Sequence, residues 1–214
     1  MKFDFSFNLI SFKLIVLLTL IVLFAHCYDG ILTNSIVRIV EDGQAIFLFA
    51  AAIFTWCYVK QNALSASKRS FRIWAMIWWM VLFGRSISWG RDYFPLIPHP
   101  YFRMVSIVMI APLVLMLLSR TLRQEIIHKL KYILFPFWYL LIALLSVCFA
   151  DSIEHHRFID HFLLHNVFYQ DLVEELYEIP FMLALFMAAY SLMQKDKKDM
   201  SLFATGSDYS AKKR

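Results

Sequence analysis

Long apolar runs most restrict the folds open to this chain. Six stretches, each close to the roughly 20 residues that a helix needs to cross a bilayer, alternate with short charged segments. Of the 214 residues 60% are hydrophobic, whereas soluble domains average about 45–50%. The sequence therefore predicts an all-α integral membrane bundle. Its six predicted transmembrane helices cover residues 9–27, 35–60, 71–93, 102–119, 132–150 and 171–194.

The first apolar run is interpreted as an uncleaved membrane helix. Ala25, His26 and Cys27 form a poor signal-peptide cleavage site because the small residues that the peptidase needs are not in place. Cys27 and Cys148 both fall near outer ends of predicted helices. A disulfide between them is one interpretation, and small apolar core residues are the other.

The positions of lysine and arginine orient the bundle. With the N-terminus in the cytoplasm, 16 of the 21 basic residues fall on the cytoplasmic side, and the other side holds five arginines and no lysine. This bias is the positive-inside pattern. We expect six spans with both termini cytoplasmic, in the inner membrane of a bacterium. Residues 1–194 form one transmembrane domain, and residues 195–214 form a basic cytoplasmic tail predicted to be disordered.

Some functions are disfavoured by what the sequence lacks. The net charge of +5 reflects loop lysines and arginines rather than a nucleic-acid surface. Neither a GxxxxGK[ST] loop, nor a Rossmann glycine pattern, nor GxSxG occurs, which disfavours nucleotide-driven transport and serine hydrolysis. The expected partners are membrane lipids, with a second copy or another membrane protein as further partners.

Charge within the third predicted helix marks a candidate site. The segment 83–94 reads FGRSISWGRDYF. An arginine at bilayer depth costs about 2.5–3.5 kcal/mol on insertion scales, so it usually faces the protein interior and finds a partner. On a continuous helix Arg85, Ser88, Trp89 and Asp92 would share one narrow face, and Arg91 would point elsewhere.

Carboxylates supply partners on the same, periplasmic side. Glu174, Glu175 and Glu178 fall on one face of the last helix, and Glu41 and Asp42 begin the second helix. Two interpretations stay open: a structural ion-pair network, or a site for a ligand or ion. The predicted cluster consists of Glu41, Asp42, Arg85, Ser88, Arg91, Asp92, Glu174, Glu175 and Glu178.

A histidine pair is a candidate metal site. His161 and His165 stand four residues apart and would share a helical face, as zinc ligands often do. The glutamate that follows the first histidine of a zincin motif is missing. An amphipathic helix at the membrane surface is the alternative interpretation of this segment. These residues establish no cofactor. Zinc is the metal that the histidine pair would bind.

The segment Ile87-Ser88-Trp89-Gly90, preceded by Gly84, resembles a group of uncharacterised bacterial multi-pass inner-membrane proteins that carry a GEEISWGQ-like motif. Members have an acidic pair in an early helix and a late acidic helix, matched here by residues 41–42 and 174–175. Arg85 and Ser86 stand where the group has two glutamates, so any role of those acids does not transfer. The resemblance implies a membrane fold and no known activity.

A second resemblance is to the alkaline ceramidase-like membrane hydrolases, which hold zinc with histidines, an aspartate and a serine. His161, His165, Asp92 and Ser88 are similar to that set. Two functions are therefore predicted. The first is a binding protein with a periplasm-facing, charge-paired polar pocket for a lipid headgroup, an ion or a partner helix. The second is a metal-dependent lipid hydrolase in which Glu178 is the general base.

Overall fold

The computed structural model describes residues 2–27, 34–60, 65–91, 93–94, 96–155 and 169–211. The side chains of residues 27, 34–35, 59–60 and 198–211 are outside that description. Asp92, His161 and His165 also fall outside it, so the predictions made for them stay predictions.

Helices make up almost all of the described chain, which confirms the all-α class. Two short strands, β1 (Lys2–Asp4) and β2 (Leu134–Pro136), and a 3-10 turn at Ser88–Gly90 also occur among the described residues, together with short connecting segments. The helices are α1 (Leu9–Cys27), α2 (Asn34–Lys60), α3 (Ala66–Ser86), α4 (His99–Met116), α5 (Arg120–Tyr132), α6 (Phe137–Glu154) and α7 (Gln170–Ala211).

Four of the described helices are long and apolar enough to cross a membrane. These segments are Leu9–His26, His99–Met116, Phe137–Glu154 and Gln170–Lys197. These four segments support the prediction that the chain is a membrane protein. With 27 and 21 residues, α2 and α3 also have the length of a span. Six crossings and the placement of the termini stay predictions.

Helix α5 corrects the prediction of a basic loop between the fourth and fifth spans. Leu122, Glu125 and Lys129 recur on one helical face and are buried, whereas Arg120 and Arg123 point outward. Basic residues in the last turn, Lys129 and Lys131, also suit the negative end of the helix dipole. The charges that suggested a solvated loop therefore belong to an amphipathic helix.

The end of α3 corrects a second prediction. Ser88 and Trp89 have φ angles of 47° and 58°, and such left-handed backbone cannot continue a right-handed helix. The helix therefore ends at Ser86 rather than near Tyr93. Arg85, Ser88 and Trp89 do not share a continuous helical face, so that part of the predicted geometry is wrong.

Trp89 folds back onto Gly84 where α3 ends. A Cβ atom added at Gly84 would lie 2.7 Å from Cε3 of the Trp89 ring, closer than real Cβ contacts come. Only glycine leaves room for the indole there. Gly90 continues the left-handed run with a φ of 91°, which glycine adopts without steric cost. The SISWG segment is thus a sharp reversal of the chain.

The chain forms two compact units. Unit A comprises Met1–Lys2, Phe49–Phe135 and Ala189–Arg214. Unit B comprises Phe3–Leu48 and Pro136–Ala188. Both α2 and α7 contribute residues to each unit.

Unit B is held together by apolar contacts among α1, α6 and α7. Ile21, Ile153, Val173 and Tyr177 belong to one buried cluster, and a second cluster is built around Ile142. Alanines recur in both, which permits close approach of membrane helices. These alanines are Ala25, Ala143, Ala150, Ala184 and Ala188.

Unit A is arranged around α3, which packs against α4 and α5. Trp74 Nε1 donates a hydrogen bond of 3.1 Å to the Leu113 carbonyl on α4. Trp79 on α3 and Leu122 on α5 are buried. The inner side of α5 therefore completes the core of this unit.

The cysteine predictions are not supported. Cys148 is a free, exposed thiol, which contradicts a disulfide with Cys27. Because Cys57 is also exposed, neither of these two cysteines is the small buried core residue that the sequence suggested.

Candidate functional site

Three glutamates of unit B gather around a fourth, Glu175. Glu41 comes from α2, and Glu174, Glu175 and Glu178 come from the first turns of α7. All four are half-buried. Glu178, Glu41 and Glu174 lie close enough to Glu175 for their charges to act on it. We call these four residues the Glu175 group.

Gln44 ties the two helices of this group together. It lies one turn after Glu41 on α2, is buried, and donates a hydrogen bond of 2.7 Å from Nε2 to the Glu175 carbonyl. A buried amide that reaches a backbone carbonyl fixes the position of that backbone. The bond therefore holds Glu41 and Glu175 near one another, and half-buried Asp42 follows directly on α2.

The remaining described members of the predicted cluster belong to unit A. Arg85 lies in the last turn of α3 and Arg91 follows the 3-10 turn, and both are exposed. Ser88 is half-buried within that turn. Pairing of Arg85 and Arg91 with the carboxylates stays a prediction.

Zinc binding by His161 and His165, with or without Asp92, falls outside the described residues. Among the residues that the structure does describe, no group of three or more histidine, cysteine, aspartate and glutamate side chains could hold a metal ion. The zinc site and the hydrolase that depends on it stay predictions.

A second charged cluster, in unit A, was missed by the sequence prediction. We call it the Asp196 cluster, and its centre is the Asp196 carboxylate on α7. Lys129 Nζ on α5 donates to both carboxylate oxygens, at 2.7 and 2.8 Å. The members are Lys68 and Arg72 on α3, Glu125 and Lys129 on α5, and Asp196 on α7.

Two further cations approach the Asp196 carboxylate. Arg72 Nη2 lies 3.7 Å from Oδ2, and Lys68 Nζ lies 3.8 Å from Oδ1. Glu125 Oε1 lies 3.5 Å from Lys129 Nζ, one turn away on the same helix. Three cations and two carboxylates thus meet at the junction of three helices.

Burial makes this cluster energetically important. Arg72, Lys129 and Asp196 are each only 1% exposed. Removing one partner of a buried ion pair costs about 3–5 kcal/mol, since the other charge is left without compensation. Aromatic rings add to the enclosure, because the Arg72 guanidinium lies 4.6 Å from the Tyr58 ring centroid and Lys129 Nζ 4.9 Å from that of Phe71.

The sequence prediction missed the Asp196 cluster for a physical reason. Lys68, Arg72 and Lys129 were assigned to solvated cytoplasmic loops by their positive charge, and Asp196 to a disordered tail. Asp196 instead lies in α7 and is packed, two residues beyond the predicted end of the last span. The available signal was the i, i+4 pair Glu125 and Lys129 on an amphipathic segment. Disorder of the tail as a whole stays a prediction.

Comparison with known proteins adds no assignment. The chain matches no protein-family model, no curated protein and no solved structure. The resemblance to the group with a GEEISWGQ-like motif therefore stays a prediction, and the functional argument rests on the geometry described above.

Proposed function

We propose that this chain is a bacterial inner-membrane protein with six spans and both termini in the cytoplasm, and that it binds a ligand rather than catalysing a reaction. The bias of lysine and arginine towards one set of loops supports this orientation. Four described segments with the length and composition of membrane spans support the membrane location. In this topology the Glu175 group lies on the periplasmic side.

The ligand that we propose for the Glu175 group is a cationic group: the ammonium of a lipid headgroup, or a small cation. The observation that carries the proposal is the gathering of half-buried carboxylates from two helices, which the hydrogen bond from Gln44 to the Glu175 carbonyl joins. Like charges close together in a poorly solvated place are unfavourable, and a cation among them reverses the sign of the interaction. Ionisable groups at membrane depth often mark such sites.

Arg85 and Arg91 are included in the proposal as ligands for anions. A guanidinium offers paired N–H donors that suit a phosphate, and both side chains are exposed.

The test is lipid and cation binding to the purified full chain. Native mass spectrometry would count bound phosphatidylethanolamine, and a parallel thermal-unfolding series would contain sodium, potassium, magnesium or calcium ions. The informative variant is Glu175→Gln, which keeps the shape of the side chain and removes its charge. Glu154→Gln is the matched control, because Glu154 is exposed at the end of α6 in the same unit.

We expect the wild type and Glu154→Gln to retain the ligand and Glu175→Gln to lose most of it. Loss of phosphatidylethanolamine identifies a lipid ammonium, and loss of stabilisation by one of the ions identifies a small cation. Equal binding of every cationic ligand by the wild type and Glu175→Gln would refute the proposal.

A further inference from the structure

Phenylalanines occupy every second position of the segment before α1. Phe3, Phe5 and Phe7 alternate with Asp4 and Ser6, a spacing that puts side chains on one side of an extended chain. All three phenylalanines are exposed, and Phe5 and Phe7 are so by 64% and 51%. Neighbouring exposed rings of this kind form an apolar patch, which typically marks a contact with a membrane or with another protein.

The start of α6 holds these rings in place. The centroid of the Phe137 ring lies 4.7 Å from that of Phe5 and 5.8 Å from that of Phe3. The Trp138 ring lies 5.1 Å from that of Phe7, and Trp138 Nε1 donates a hydrogen bond of 3.1 Å to the Phe5 carbonyl. All five residues belong to unit B. We call them the aromatic platform, because backbone and side chains are fixed together.

The aromatic platform lies where two candidate membrane spans begin. Leu9–His26 starts two residues after Phe7, and Phe137–Glu154 starts within the platform itself. These five residues therefore lie near the level at which a bilayer meets water, and not at its centre. Tryptophan is enriched at that level, since its ring is apolar and its N–H is polar. Phenylalanine is common on the apolar face of segments that lie in the membrane surface.

Helix α1 favours a bilayer over a protein as the partner of the platform. Large apolar side chains are exposed on one face along the whole candidate span. They are Leu9, Phe12, Val16, Leu20 and Leu23. Acyl chains are the expected neighbours of an exposed apolar face on a membrane span. Since this face begins two residues after Phe7, the platform continues a lipid-facing surface towards the headgroups.

We propose that the aromatic platform is a lipid-contacting surface, whose exposed rings insert into the headgroup region of a phospholipid bilayer. The segment before α1 then lies on the membrane, with Phe5 and Phe7 towards the lipid and Ser6 towards water. Lys13 is exposed in the first turns of α1. Its long side chain can extend an ammonium group to phosphates at the same level.

This surface contains no residue of the Glu175 group and binds no cation. It requires that α1 and α6 cross the membrane, and it does not depend on whether α2 and α3 do. Failure of the lipid-contacting surface therefore leaves the proposed cation site standing, and the reverse also holds.

The experiment uses the full chain in vesicles of phosphatidylcholine and phosphatidylglycerol. A nitrobenzoxadiazole fluorophore is attached to one cysteine, introduced as Phe5→Cys, Phe7→Cys or Ser6→Cys, in a background in which the three native cysteines are serine. Ser6→Cys is the matched control, because Ser6 is exposed between the two phenylalanines. Lipids with brominated acyl chains quench the fluorophore from within the bilayer, and iodide quenches it from the water.

We expect brominated lipid to lower the emission at positions 5 and 7, and iodide to lower the emission at position 6. Equal quenching of the three positions by either quencher would overturn the proposal. So would stronger quenching by brominated lipid at position 6 than at positions 5 and 7.

A second measurement keeps an aromatic ring in the platform and decides the matter if the cysteine variants do not fold. The photoreactive residue p-benzoylphenylalanine replaces Phe7, and membranes that contain the full chain are irradiated. We expect phospholipid adducts, which mass spectrometry identifies. Adducts with another protein in place of phospholipid would overturn the bilayer as the partner of this surface.

Discussion

Asp196 is the common partner of Lys68, Arg72 and Lys129, and it joins three helices of unit A through one carboxylate. A buried acid shared in this way compensates for several cations at once. The same arrangement makes the cations dependent on it, because no other described carboxylate except Glu125 lies in the cluster.

Replacing Asp196 by alanine should destabilise the protein by about 3–5 kcal/mol, since it leaves buried cations without their main counter-charge. Replacing Lys129 by methionine should also destabilise it. Together the two changes should cost less than the sum of the single losses, because each removes the group that the other leaves uncompensated. The test is the free energy of unfolding of the two single variants and of the double variant, each measured in mixed micelles.

Lys131→Met is the control for this double-mutant cycle. Lys131 is exposed on the same helix, so loss of its charge should change stability by only a few tenths of a kcal/mol. Additive losses at Asp196 and Lys129 would show that the two residues are not coupled.

The sequence predicts that Arg85 and Glu178 are coupled on the periplasmic side. We expect Arg85→Ala to lower stability in detergent, and Glu178→Ala in the same chain to restore part of the loss. A restoring effect reports coupling between the residues. Strictly additive effects in the thermal-unfolding series would count against the pair.

Metal content separates a binding protein from a zinc hydrolase. We expect the purified wild type to contain no stoichiometric zinc, and a variant with His161→Ala and His165→Ala to be unchanged in metal content and stability. Elemental analysis of both proteins provides the measurement. Stoichiometric zinc in the wild type that disappears from the variant would favour the hydrolase instead.

For individual residues, the sequence predicted correctly which side chains share a face when they are close along one helix. Glu174 and Glu178 stand four apart, so helical periodicity alone puts them on one face. Lys129 and Asp196 are 67 residues apart, and nothing in local spacing connects them. Their pairing depends on how α5 and α7 pack.

The end of α3 shows how one small residue sets the length of a helix. Gly84 receives the ring of Trp89, and the backbone reverses through three residues with positive φ, Ser88, Trp89 and Gly90. Two of these are not glycine, so they are held in a costly conformation by surrounding contacts. The indole packed on Gly84 is the contact that the structure provides.

Gly84→Ala should therefore destabilise the protein by about 1–3 kcal/mol, the usual cost of overpacking a close contact. Thermal unfolding in detergent would measure the loss. Gly43→Ala is the matched control, because a Cβ at Gly43 meets nothing within 4 Å and alanine favours a helix by about 0.5–1 kcal/mol. Equal behaviour of the two variants would contradict the packing of Trp89 on Gly84.

Helix boundaries were predictable where they depend on the bilayer and not where they depend on packing. The predicted first span, residues 9–27, coincides with α1 because apolar length defines it. The third helix was predicted too long, since its end depends on a contact between Gly84 and Trp89. Helix α5 was mistaken for a loop because its buried face carries Glu125 and Lys129, which sequence patterns assign to solvent.

For the whole molecule, the number of times that the chain crosses the membrane can be tested. Reporter fusions after Leu64 and Ile97 flank α3. Six spans predict that the first fusion is cytoplasmic and the second periplasmic, because α3 then crosses the membrane. If neither α2 nor α3 crosses, both fusions would report the same side. Each position is fused in parallel to alkaline phosphatase, which is active in the periplasm, and to a fluorescent reporter that is active in the cytoplasm. The active reporter shows on which side of the membrane the position lies.

The position of Asp196 in the chain has a consequence for biosynthesis. A chain emerges from the ribosome N-terminus first, so α3 with Arg72 and α5 with Lys129 are made long before Asp196. Until then Lys129 on the inner face of α5 has Glu125 as its carboxylate partner in the cluster and lacks the ion pair with Asp196 that the finished protein has. Unit A is therefore completed only when α7, which follows its other helices in the chain, has been synthesised, and a nascent chain interrupted earlier lacks the carboxylate at the centre of the Asp196 cluster.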